Sequence, residues 1–114
     1  MNNEIKKIFS NFIVDNQKIP VEWQKYLGTE ETYVVYSSLG EKPELHANDI
    51  PIASVDTYDF DIYSKSNYLN ILKEIKNKLI SAGWTWIEDS EDFFEEDTGF
   101  YHKITTWCKE KGLI

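Results

Sequence analysis

The stretch SVDTYDFDIYSKSNYLNILKEIKNKLISAGWTW, residues 54–86, decides the fold. Tyr58, Phe60 and Ile62 alternate with Thr57, Asp59 and Asp61, the period of two shown by a strand with one buried face. Leu72, Ile75, Leu79 and Ala82 follow at spacings of three and four, and Tyr68, Leu69 and Ile71 widen that stripe into an amphipathic helix. Ser64 and Ser66 are N-cap candidates, and Gly83 stands where a left-handed residue closes a helix. A second strand opens at Trp84. The unit reads strand, helix, strand, and none of its residues forms a reactive constellation.

Working outward, 114 residues suit a single domain, 1–114, with its own core. The net charge of −8 opposes a nucleic-acid reader that works by neutralising phosphates, and opposes adhesion to anionic membranes. The single cysteine, Cys108, cannot form an internal disulfide, which fits a reducing compartment. MNNEIKKIFSNFIV lacks a continuous apolar core and a small-residue cleavage site, so it does not read as a secretory leader. No apolar run approaches the ~20 residues of a membrane-spanning helix.

Before the central unit, Ile5, Ile8, Phe9 and Phe12 predict a short amphipathic helix over residues 3–13. Residues 15–18 read as a turn, and Pro20 makes residues 19–23 extended. TYVVYSS, residues 32–38, is a strand by its β-branched and aromatic content. Residues 39–49 read as a polar connection, with Pro51 at a sheet edge or ahead of the paired part of the next strand. After strand 84–88 comes an acidic connection, EDSEDFFEEDTG, then a last strand, FYHKITTW, and a short tail from Lys109. The expected class is α+β: a mostly antiparallel or mixed four-stranded sheet covered by one main helix, with a short N-terminal helix.

Candidate chemistry is thin. Glu88, Asp89, Glu91, Asp92, Glu95, Glu96 and Asp97 are dense enough to suggest a hard cation, but their spacing fits no EF-hand loop and a solvated charge run explains them better. Asp59 and Asp61 share a strand face that reads as polar surface or a contact between subunits, and Asp56 lies on the same strand. His46 and His102 are far apart, and no Cys or His spacing matches a zinc site. Cys108 lacks a CxxC partner, and residues 37–40 (SSLG) form neither a nucleophile elbow nor a phosphate loop. Trp84 and Trp86 are read as core. No cofactor, metal site or enzymatic activity is expected. Phe93 and Phe94 differ from their acidic surroundings, since two adjacent rings cannot both be explained by solvation. With Trp23, Glu95, Glu96 and Asp97 they make the candidate interface with a partner or a further copy.

The strand TYVVYSS, the passage through HAND to a strand ending in DIYSKSNY, the helix ending in KLISAGW and the closing FYHKITTW together resemble the tail-completion, or tail-terminator, family of long-tailed bacteriophages and prophages of Gram-positive bacteria. Asp61-Ile62-Tyr63-Ser64-Lys65 stands where that family has a DIWSK-like strand end, with tyrosine in place of the usual tryptophan, and Gly83-Trp84 stands at its Gly-aromatic helix exit. The similarity covers residues 30–108 and the N-terminal helix. It implies a virion component assembled in the host cytoplasm: a homo-oligomeric ring, expected as a hexamer, that closes the head-proximal end of the tail tube. Its partners would be further copies, the tail-tube protein and the head connector, with DNA sliding through the bore unbound and no membrane involved. The family supplies no catalytic residues. Acidic residues lining such a bore would repel phosphate instead of trapping it. Two other readings stay open: another neck component such as a head-closure protein, and an acidic DNA mimic that inhibits a basic host protein.

Overall fold

The computed structural model describes residues 2–47 and 50–113, with side chains for residues 2–41 and 54–111. Its elements are α1 (Asn2–Ile8), β1 (Ile13–Val14), β2 (Gln17–Lys18), β3 (Val21–Trp23), β4 (Thr32–Ala47), β5 (Ile50–Ser64), α2 (Leu69–Ser81), β6 (Thr85–Asp89), β7 (Phe93–Glu95) and β8 (Phe100–Leu113). A six-stranded sheet runs β3-β4-β5-β8-β6, with β7 also paired to β8. β3 is parallel to β4, and every other pairing in the sheet is antiparallel.

The four-stranded expectation is therefore wrong: the protein is mostly β, with six strands in its main sheet and two helices. Two strands were hidden. Val21–Trp23 docks parallel on the start of β4, and Phe93–Glu95 pairs with residues 100–102 inside what reads as an acidic connection. The polar connection at 39–47 is also strand: β4 and β5 run on as a long hairpin. Its ladder absorbs Gly40 (φ +106) and Pro43 through register shifts at Ser38/Gly40 and Pro43/Leu45, so no clean alternation reaches the sequence. Pro51 lies ahead of the first β5–β8 pair, Ala53↔Leu113, and the expected C-terminal tail continues β8. His46 is placed in β4 by its backbone, and its side chain lies outside the described residues, as do Asn48 and Asp49.

β8 lies between β5 and β6 and is antiparallel to both, so β5, α2 and β6 form a split crossover whose two strands are parallel but not adjacent. α2 stops at a Schellman motif: Gly83 (φ +88) donates its N–H to Ile80 O, and Trp84 donates to Leu79 O. At its start the serines act differently from the expected caps. Ser64 Oγ accepts the Ser66 N–H and lies 3.0 Å from Thr32 Oγ1, while Asn67 Oδ1 accepts the Leu69 N–H. α1 is shorter than its periodicity suggests. Asn11 (φ +58) turns the chain into the β1–β2 hairpin, whose Asp15-Asn16 loop has positive φ at both residues, as a tight hairpin turn requires.

One face of the sheet carries the core. Val34, Tyr36, Phe60, Ile62 and Trp107 pack under Ile75 and Leu79 of α2 and Ile5 of α1. Burying each large apolar side chain stabilises the fold by about 1.5–3 kcal/mol. Trp84 joins this core, but Trp86 does not. β6 is an edge strand, and the Trp86 ring is half exposed beneath the Lys76 ammonium, 4.6 Å from its centre.

Candidate functional site

Polar and aromatic side chains converge in three places: the face of the sheet opposite the helices, and its two edges.

The open face is set by register. Tyr33, Tyr63, His102 and Phe93 are successive cross-strand partners on β4, β5, β8 and β7. Tyr26 stacks on Tyr33 at 4.4 Å, Tyr33 on Tyr63 at 5.1 Å and Tyr63 on His102 at 4.2 Å, all with rings tilted by 25° or less. The rings therefore stand on edge and cover one another's faces, so the row stiffens the sheet and offers no platform on which a base or sugar could stack. Gly28 belongs to this row, because a Cβ there would meet the Tyr26 ring at 2.2–2.6 Å. His102 Nε2 lies 3.0 Å from Asp61 Oδ2, and Thr106 donates to Asp59 at 2.6 Å. Burial pushes the Asp61 carboxyl above its usual range against the opposing bond from His102. Tyr63 is pushed up to about 12 by burial, with the Asp61 charge adding to the effect, so it stays protonated. A His–Asp pair can move a proton, but here it sits on an open sheet face, and the nearby Thr106 hydroxyl is already bonded to Asp59. Among the described residues no group of three His, Cys, Asp or Glu side chains could hold a metal ion.

The first edge is β3. Trp23 is its last residue. Gln24, at φ +63, donates its N–H to Tyr36 O, and Lys25 donates to Trp23 O, so the chain turns away and leaves the indole 48% exposed. Between this indole and α1 lies a recess of about 420 Å³, walled by Lys6, Glu22 and Trp23 and floored by the buried rings of Phe9 and Tyr36.

The opposite edge is β7. Consecutive residues of a strand face opposite ways. Phe93 accordingly reaches the open face toward His102, while Phe94 packs on the helix side against Tyr101 at 4.9 Å. Phe93 is 39% and Phe94 52% exposed, and Glu95, Glu96 and Asp97 are exposed beside them. Of the acidic run, two carboxylates are bonded within the chain, exposed Asp92 and half-buried Asp89. Asp92 accepts hydrogen bonds from Tyr68 and from Lys103 at 3.0 Å, which hold its pKa below the usual carboxylate range. For Asp89, burial would raise the pKa, but bonds from Lys76, Thr105 and Trp86 outweigh it and the net shift is downward.

The structure thus separates the six sequence candidates. Phe93, Phe94, Glu95, Glu96 and Asp97 cluster on one edge, and Trp23 stands on the other, with three strands, β4, β5 and β8, between β3 and β7. Tyr26, Tyr33 and Tyr101 were not singled out by sequence, and Tyr63 only as the tyrosine of the DIYSK strand end. Only the fold shows that Tyr26, Tyr33 and Tyr63 stack in one row, while Tyr101 packs on Tyr68 and Phe94 on the other face. Comparison of the sequence with protein-family models gives no match, and comparison with curated proteins gives none either.

Proposed function

We propose that this chain is a structural subunit of the tail-terminator kind, assembling head to tail into a closed ring that caps the head-proximal end of a phage tail tube and meets the head connector. The observation that carries the reading is the pair of exposed aromatic patches on opposite edges of one sheet. A ring needs a heterologous contact, in which two different surfaces of each subunit meet, and Trp23 and Phe93–Phe94 supply two such surfaces. Large exposed rings set among charges mark contact sites more often than they mark idle surface. The similarity of DIYSK and Gly83-Trp84 to the family pattern supports the tail-end role. The role requires no catalysis and no cofactor. The acidic surface would keep DNA moving through the bore.

Mixing the purified chain with tail tubes and imaging by electron microscopy tests the proposal. A ring at one end of the tube is expected. Tubes left bare while the chain joins a head-connector ring instead would assign it to head closure. A second reading, the DNA mimic, draws on the exposed carboxylates Glu88, Glu91, Glu95, Glu96 and Asp97. It requires a monomer that captures a basic DNA-binding protein one to one and releases it in salt.

A further inference from the structure

We propose that the recess beside Trp23 is the socket for the β7 hairpin of the next copy of this chain, with Phe94 entering between Trp23 and α1. The contact rests on the ring reading and names the surfaces that meet in it. The socket has an apolar floor of buried Phe9 and Tyr36 and a volume of about 420 Å³, room for a phenyl ring. The plug has such a ring. Phe94 is half exposed at the far edge of the sheet, held outward by its packing on Tyr101.

Charge selects the pairing. Lys6 lines the socket, exposed Lys7 follows it on α1 and exposed Lys25 lies two residues beyond Trp23; none of them takes part in an ion pair among the described residues. Glu22 is the carboxylate in the socket wall, and Glu4 nearby on α1 is bonded to Lys109. The hairpin presents Glu95, Glu96 and Asp97, also outside every ion pair among the described residues. Hairpin against socket therefore joins opposite charges. A two-fold contact of hairpin on hairpin would set six carboxylates face to face. The charge pattern therefore favours hairpin on socket over hairpin on hairpin, and with it propagation from copy to copy.

Photo-crosslinking from a benzophenone amino acid at position 94, in the full chain, reads the contact directly. Cross-links to residues 5, 6, 9, 22 or 23 of another copy are expected. Charge reversal gives the independent arm. Lys6→Glu with Lys25→Glu, or Glu95→Lys with Glu96→Lys, should each weaken self-association tenfold or more, and combining all four in one chain should restore it. All four positions are exposed, so unchanged circular dichroism melting is expected for each variant. Rings that persist with cross-links elsewhere, or that ignore both reversals, would overturn the socket and leave the ring reading standing. A wild-type chain that stays monomeric with and without tail tubes, and gives no intermolecular cross-link, would overturn both.

Discussion

Gly83 and Asp89 show how much of this fold rests on single positions. A Cβ on Gly83 would meet no atom within 4 Å, so Gly83→Ala isolates the cost of holding φ at +88° with a side chain. That cost is about 1 kcal/mol, expected as a fall in melting temperature of about 4–8 °C. Asp89 is the hub of a polar relay. Trp107 Nε1 donates to Thr105 Oγ1 at 2.7 Å, while Thr105, Trp86 and Lys76 all bond the Asp89 carboxylate. Because its folded pKa is depressed, Asp89 contributes stability above the unfolded value of 3.8 and loses that contribution as pH falls through the folded pKa. Asp89→Asn should accordingly cost about 1–3 kcal/mol near neutral pH. In chemical denaturation the gap from wild type should close as the pH is lowered through the carboxylate range. A gap independent of pH would show that packing, not charge, sets the position.

At the scale of elements, α2 is the clamp on the sheet, and Ile75 is its fully buried centre. Ile75→Ala should cost about 2–5 kcal/mol, measured by urea denaturation with an unchanged slope. The aromatic row makes a contrasting prediction. Tyr63→Ala removes the ring between Tyr33 and His102; it should reduce the near-ultraviolet dichroism of the tyrosines while far-ultraviolet dichroism holds. The difference between these two elements is also the difference in what the sequence revealed. The apolar stripe of α2 and the alternation at residues 58–62 are local periodicities, so both were legible, and Gly83 marked the helix end. β3 and β7 are three-residue strands fixed by the partner they dock on, and three residues carry no periodicity. The β4–β5 hairpin was missed because Gly40, Pro43 and three register shifts break the pattern that identifies a strand. The interface candidates were legible as types of residue out of place, rings among carboxylates. Their division between two edges was not, because the strand order β3-β4-β5-β8-β6 brings together segments far apart in the chain.

At the scale of the molecule, the sheet is a bar with unlike edges, an indole beside Lys6 at one and carboxylates with two phenyl rings at the other, within overall dimensions of 52 × 28 × 23 Å. Salt should weaken self-association, because the proposed contact pairs charges at an exposed rim, whereas purely apolar plugging would be strengthened by sulfate. The long β4–β5 hairpin, with β8 beside it, extends from this bar as an arm whose backbone hydrogen bonds are shared among three strands. The most direct measurement is electron microscopy of the purified chain mixed with tail tubes. A ring of identical 13.4 kDa subunits is expected at one tube end, each with its β7 hairpin in the Trp23 recess of its neighbour. Bare tubes, together with a strict monomer that binds a basic DNA-binding protein one to one, would contradict it.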